Sequence, residues 1–209
     1  MSAAGLFYVG AVLVINGLLL LGTVSARAAA PLNLFVGALQ VVGPTILLTQ
    51  ATTTAEVADA APLYLFGFTY LWVGINAITD WDQRGLGWFS LFVAASAVGM
   101  AAYTALVPGD WPFTVIWLYW AVLWFLFFCV LGVQRMELTR YTGWFAIVTG
   151  IVTAAVPGAL LVVGHWPDLP VVAVVLAVLG VATLLGLWPV TVHQREHPPT
   201  PPTTPPTTP

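Results

Sequence analysis

Long apolar runs, broken by short polar or turn-forming stretches, occupy most of the chain. Seven can be drawn, at 3–24, 32–51, 62–79, 86–107, 112–134, 142–164 and 169–189. A helix needs about 20 apolar residues to cross roughly 30 Å of hydrocarbon, so each run predicts a transmembrane helix. A membrane barrel would instead show alternating segments of about 10 residues. The breaks carry charge or turn chemistry: Arg27 then Pro31, a Thr-rich stretch with Glu56 and Asp59, and Asp80 to Arg84. Pro108-Gly109-Asp110, Arg135 to Arg140, and His165 to Pro170 follow. These loops are short, so successive helices are expected to be antiparallel neighbours. The pattern predicts an all-α polytopic membrane protein with one transmembrane domain over 1–190. The remainder, 191–209, ends in a stretch of only proline and threonine from Pro198 onward and is expected to be a disordered cytoplasmic tail. No basic residue precedes the first run, which reads as a membrane helix rather than a cleaved signal peptide.

Composition sharpens this picture. Of the 209 residues 60% are hydrophobic and 6% charged, where an ordinary soluble domain carries about 25% charge. A soluble enzyme, a disordered protein and a nucleic-acid binder are excluded. The basic residues are Arg27, Arg84, Arg135, Arg140 and Arg195, and a seven-helix path puts all of them on one side. By the positive-inside rule that side is cytoplasmic. The N-terminus is then outside, the C-terminus inside, and the membrane the inner one. Cys129 is the sole cysteine and lies in an apolar run, so it forms no disulfide within the chain and reads as packing.

No Asp, Glu, Lys or Arg falls in the middle of a run, whereas pumps, ion-coupled transporters and voltage sensors keep such charges. The chain has no lysine for a retinal Schiff base. It also lacks a Ser/His, paired-Asp or metal-ligand constellation, so no enzyme activity, metal or cofactor is expected. His165, His193 and His197 sit at helix ends or beyond. Asn16, Asn76 and Gln40 lie within spans, and an amide in lipid must find a partner or line a wet cavity. Interhelical hydrogen bonds are expected of the two asparagines. Gly5/Gly10, Gly17/Gly22 and Gly37/Gly43 read as close helix packing.

Aromatic spacing supplies the candidate site. Trp117, Trp120 and Trp124, at i, i+3 and i+7, share one face of the fifth helix. Phe68 and Trp72 form an i, i+4 pair on the third. Leu6, Val9 or Gly10, and Leu13 make a stripe on the first. All three stripes lie at overlapping depths and can meet around one axis. Trp88, Trp111 and Trp166 fit an interfacial belt. A weak repeat opens the second, fourth and sixth helices at Asn33-Leu-Phe-Val-Gly-Ala, Trp88-Phe-Ser-Leu-Phe-Val-Ala and Trp144-Phe-Ala-Ile-Val-Thr-Gly, offset by 55 and 56 residues. It suggests one helical hairpin used three times, with a seventh helix added. Repeats of this kind place a substrate path on their common axis.

Several of these segments, in this order, resemble the AmiS/UreI family of urea channels and amide transporters. They are Phe7-Tyr-Val-Gly-Ala-Val-Leu-Val-Ile-Asn-Gly17, Asn33-Leu-Phe-Val-Gly37, Leu65-Phe-Gly-Phe-Thr-Tyr-Leu-Trp72 with Asn76, and Trp88-Phe-Ser-Leu-Phe-Val-Ala94. Trp117-Leu-Tyr-Trp-Ala-Val-Leu-Trp124 is the most specific, and Gly150-Ile-Val-Thr-Ala154 with Pro157 and His165-Trp166 completes the set. The resemblance implies a six-helix core of three hairpins, a channel in each protomer and a homo-oligomeric ring, usually a hexamer, with lipid at its centre. It implies a lining of Leu6, Val9, Leu13, Phe68, Trp72, Trp117, Trp120, Leu123 and Trp124, with Asn16, Asn76 and Thr149 as further polar candidates. Proton-gated urea channels typically carry Tyr at the position of Trp72, Glu at that of Thr149, and longer outer loops with several histidines. The seventh helix and tail look more like the amide-transporter branch.

The expectation is a passive facilitator of urea or short aliphatic amides, feeding an intracellular amidase or urease. The alternative is an accessory membrane protein that binds the same solute without conducting it. His165 is the only histidine expected on the outer face, so acid gating is expected to be weak or absent.

Overall fold

A computed structural model describes residues 3–167 and 169–189, which form nine α-helices and no strand. These are α1 (Ala3–Leu20), α2 (Ala26–Gln50), α3 (Thr54–Ala60), α4 (Leu63–Thr79), α5 (Arg84–Leu106), α6 (Trp111–Phe127), α7 (Thr139–Thr149), α8 (Val156–Val162) and α9 (Pro170–Gly186). Six spans are long and apolar enough to cross a membrane: α1, α2, α3 with α4, α5, α6 with the turn after it, and Met136–Val162. The expected seventh helix is present as α9 and is shorter, 17 residues, or about 26 Å at 1.5 Å per residue. The expected tail, with Arg195, His193 and His197, lies outside the described residues.

Helix ends differ from the sequence expectation where a cap overrides composition. α2 begins at Ala26, ahead of Pro31, because Ser25 Oγ accepts the Ala28 N–H at 3.3 Å. Pro31 then falls in the second turn. The Thr-rich break folds into α3, whose capping box pairs the Glu56 N–H with Thr53 Oγ1 at 3.2 Å and the Thr53 N–H with Glu56 Oε2 at 3.0 Å. Two π-helical segments were not anticipated. Phe128–Gly132 ends α6, and Gly150–Ala155 joins α7 to α8 just before Pro157, which has no N–H to return to the preceding turn.

The spans pack as three pairs: α2 with α4, α5 with α6, and α1 with the α7–α8 span. This matches the repeat starting at 33, 88 and 144, with the third unit closed by α1 rather than by α9. Glycines set the approach within each pair. A Cβ at Gly87 would run into the Gly132 backbone, and one at Gly10 into Ala155. Cβ atoms at Gly37 and Gly74 would meet Leu71 at 2.7 Å and Leu34 at 2.8 Å. The expectation fails for two glycines. Gly22 has φ +77 and serves the turn after α1, and Gly43 faces open space.

Polar pairing follows the same pattern. Asn16 on α1 and Asn33 on α2 exchange hydrogen bonds, Asn16 Nδ2 to Asn33 Oδ1 at 2.9 Å and Asn33 Nδ2 to Asn16 Oδ1 at 2.8 Å. Asn76 departs from expectation: it is buried with neither amide atom paired. Arg27 lies 3.8 Å from Asp80, which ties the start of α2 to the end of α4. Arg27, Arg84 and Arg140 lie in the first turns of α2, α5 and α7, and Arg135 in the connection before α7, all at that end of the bundle, called here the arginine end.

Gly87→Val is expected to lower the thermal midpoint in detergent by about 2–12 °C. That range follows from an overpacking cost of ~1–3 kcal/mol and about 2–4 °C per kcal/mol at this size. Gly43→Ala, made where a Cβ would meet no neighbouring helix, is expected to change it by less than Gly87→Val does. Scanning fluorimetry of the two variants checks this.

Candidate functional site

Three helices meet on one axis. α6 contributes Trp117, Trp120, Leu123 and Trp124, and α1 contributes Leu6, Val9 and Leu13, all buried. The sequence predicted these seven, and the structure brings them together. The third helix joins by a different face than expected. Phe68 is 49% exposed and stacks on Tyr64 with ring centroids 5.6 Å apart. Trp72 packs sideways on Phe89 of α5 at 5.9 Å. Phe66 and Tyr70, two positions earlier, are buried instead. Two residues rotate a helix by about 200°, so the two i, i+4 aromatic pairs point to opposite sides. Nothing in so uniformly apolar a segment marks which pair faces inward.

Phe66 is the hub. Its ring stacks on Trp117 at 5.8 Å and meets Trp120 at 4.8 Å and Trp124 at 5.1 Å edge-on, while Trp117 and Trp120 meet edge-on at 4.9 Å. Tilted contacts of this kind are the favoured geometry of aromatic quadrupoles. Each deep indole also has a polar partner. The Trp120 N–H donates to Thr153 Oγ1 at 3.0 Å, and that hydroxyl donates to the Thr149 carbonyl at 2.7 Å. The Trp124 N–H donates to Thr69 Oγ1 at a longer 3.4 Å, and Thr69 donates to the Leu65 carbonyl at 2.7 Å. Thr153 lies in the π-helical segment Gly150–Ala155, so the local widening of that helix presents the acceptor. Sequence reasoning missed Thr153 and Thr69. Their visible signal was a threonine in each of two segments facing a tryptophan stripe.

A cavity opens on either side of this cluster. Toward the arginine end is one of about 290 Å³, lined among others by Leu13, Asn16, Tyr70, Gln83, Trp124 and Thr139. Toward the other end is one of about 200 Å³, lined by Asp59, Thr104, Asp110, Phe113 and Trp117 among others. Each has room for a small solute with water, at roughly 30 Å³ per water molecule. Trp117 borders one cavity and Trp124 the other, while Leu6, Val9, Phe66 and Trp120 border neither. The first cavity is apolar except for a few hydroxyls and amides, and the Tyr70 and Thr139 hydroxyls there have no protein partner. Thr149, the third polar candidate, is buried behind Thr153 with its own hydroxyl unpaired.

The model of the AmiS/UreI family of transporters matches residues 1–165. A relative from Mycolicibacterium smegmatis named as an amidate substrates transporter is 53% identical over 191 residues, covering 91% of this chain and 90% of its own. The acid-activated urea channel of Helicobacter pylori strain J99 is 35% identical over 77% of this chain and 97% of its own. The crystal structure of the Helicobacter pylori urea channel superposes with a TM-score of 0.71 at 36% identity, over 80% of this chain and all of that one. With its three helix pairs, its paired cavities and this match over its first 165 residues, the chain belongs to the AmiS/UreI family.

Proposed function

We propose that the chain is a passive channel for short aliphatic amides and urea, with its path running through the tryptophan cluster of each protomer. The observation that carries this reading is the pair of cavities at opposite ends of the bundle, with the buried cluster of rings and aliphatic side chains between them. Solute would enter past Asp59 and Asp110, slip between Phe66, Trp117, Trp120 and the Leu6–Leu13 face of α1, and leave past Trp124 and Tyr70. Small displacements of rings held by edge contacts would open a planar slot, suited to a flat neutral molecule. The Tyr70 and Thr139 hydroxyls, and the Asn16 amide beyond its bond to Asn33, supply hydrogen bonds where the slot widens. Among the described residues no Asp, Glu, Lys or Arg is part of the buried cluster itself, and Asp59 and Asp110 stop at the cavity beside Trp117, so an ion passing between the rings would lose its hydration without compensation. Flux would therefore run down the solute's own gradient.

The remaining assignments share this reading. The arginine end faces the cytoplasm across the inner membrane, which puts the N-terminus outside and the C-terminus inside. Protomers assemble as a ring, a hexamer in our reading, with lipid at its centre. Solute delivered inside feeds an intracellular amidase or urease.

The slot also ranks solutes. Both deep indole N–H groups are committed to threonines, and those hydroxyls to carbonyls, so few groups are free to replace a solute's water. Urea must strip four N–H donors and acetamide two. Acetamide is expected to cross faster by about fivefold or more, the factor corresponding to ~1 kcal/mol of unreplaced hydrogen bonding.

Stopped-flow light scattering on proteoliposomes tests the function. Acetamide and urea should relax faster than in empty vesicles, by a similar amount at pH 7 and pH 5. Rates no faster than in empty vesicles would favour the non-conducting, solute-binding alternative, and a tenfold rise at pH 5 would contradict the absence of acid gating.

Thr153→Val and Thr69→Val remove one acceptor each at nearly constant volume. The Trp120 bond is the shorter, so Thr153→Val is expected to change acetamide permeability several-fold and Thr69→Val by less than about twofold. The reverse order would contradict a path that runs beside Trp120.

A further inference from the structure

α9 lies beyond the residues that the family model matches. It lines neither cavity. Yet it is docked with more specificity than an apolar helix in lipid requires. The Tyr119 hydroxyl of α6 donates to the Leu176 carbonyl at 2.9 Å, and the Tyr141 hydroxyl of α7 donates to the Leu184 carbonyl at 3.1 Å. Leu176 and Leu184 are two helical turns apart, about 12 Å along α9. Each carbonyl has a second lone pair, so it can take a phenol without giving up its helix bond. Between these two points Gly180 lies flat on the Tyr119 ring, where a Cβ would come within 2.9 Å of it. The two phenols are themselves joined by a stack: Tyr119 on Phe145 at 6.2 Å, and Tyr141 on Phe145 at 6.3 Å with the rings 4° from parallel.

Tyr119 immediately precedes Trp120 in the chain. On a helical wheel it points about 130° away from the mean direction of Trp117, Trp120 and Trp124. The face of α6 that presents the tryptophans is therefore backed, on its far side, by the ring that α9 holds. The opposite face of α9, with Val171, Val174, Val178 and Val181, is exposed among the described residues.

We propose that α9 is a brace for α6, and that Tyr119 and Tyr141 are positioning residues that fix the rotation of the tryptophan face through their hydrogen bonds to α9. Neither tyrosine touches solute. In a membrane a buried phenol with no acceptor is costly, so each tyrosine holds its carbonyl wherever α9 is docked, and the α6 face is held with it. The setting of the slot, and hence its discrimination between solutes, depends on a helix outside the six-helix core. This rests on the channel reading above for its consequence, though not for the brace itself.

The test is the full-length double variant Tyr119→Phe/Tyr141→Phe, which keeps both rings and removes only the two hydroxyls. Tyr8→Phe, an exposed ring on α1, is the control. Acetamide and urea permeabilities are measured in proteoliposomes, and hydrogen–deuterium exchange is followed over 111–127 and 170–186. Loss of folded protein lowers both fluxes by one factor, whereas a turned α6 changes their ratio. The ratio is expected to change by about threefold or more in the double variant and to stay constant in the control. An unchanged ratio, whether both fluxes are retained or both fall together, overturns the proposal. If the wild-type chain conducts neither solute, the channel reading fails and exchange alone decides the brace. Faster exchange in 111–127 as well as in 170–186 then supports it, and a change confined to 170–186 overturns it.

Discussion

Backbone-to-backbone contact at glycine is the constraint on which the architecture depends. Lipid tails are as apolar as leucine, so burial alone gives membrane helices little reason to associate, and close packing must do it. Gly10 and Gly150 bring α1 onto the α7–α8 span, Gly37, Gly67 and Gly74 bring α2 onto α4, and Gly87 with Gly132 brings α5 onto the end of α6. Once these pairs are closed, the side chains that do not face a pair's own seam or the lipid have one place left, the axis between the pairs. That is where Leu6, Val9, Leu13, Phe66 and the three tryptophans collect.

A cluster of such rings is well suited to selecting uncharged planar solutes. Its contacts are edge-on except for the Phe66–Trp117 stack, and its two deep N–H groups are satisfied inside the protein. A plug built this way presents π faces and alkyl groups and withholds polar groups. Either side, Asp59 and Asp110 at one end, and Asn16, Tyr70 and Thr139 at the other, restore polarity where the passage widens. In the proposed path, the contrast between an apolar centre and polar flanks would separate neutral amides from ions.

The sequence made the membrane class, the helix number and the repeat legible because each rests on one-dimensional signals: run length, charge position and offset. The α6 and α1 stripes were legible because i, i+3, i+7 spacing of large residues needs no further choice of face. The third helix was not. Phe66/Tyr70 and Phe68/Trp72 have the same spacing, and a span that is apolar on every side gives no amphipathic cue to decide between them. Thr153 escaped notice for another reason: its aim at Trp120 depends on a π-helical segment, which regular 3.6-residue periodicity cannot foresee. Asn76 shows the limit of pairing arguments, since an amide expected to bond across helices is buried with none. The orientation of α9 was also hidden, because it depends on two phenols 22 residues apart in the chain that converge only after α6 and α7 pack.

The central claim is that solute passes at Trp120. The most direct measurement is the size cut-off for permeation, taken with acetamide, urea and glycerol, of wild-type protein against Trp120→Ala in proteoliposomes. On this account removing the indole widens the path, so glycerol, which the wild type is expected to exclude, should enter vesicles bearing the variant at a rate well above background. If the variant is folded, still carries acetamide and excludes glycerol as before, the path does not run past Trp120 and the account is wrong.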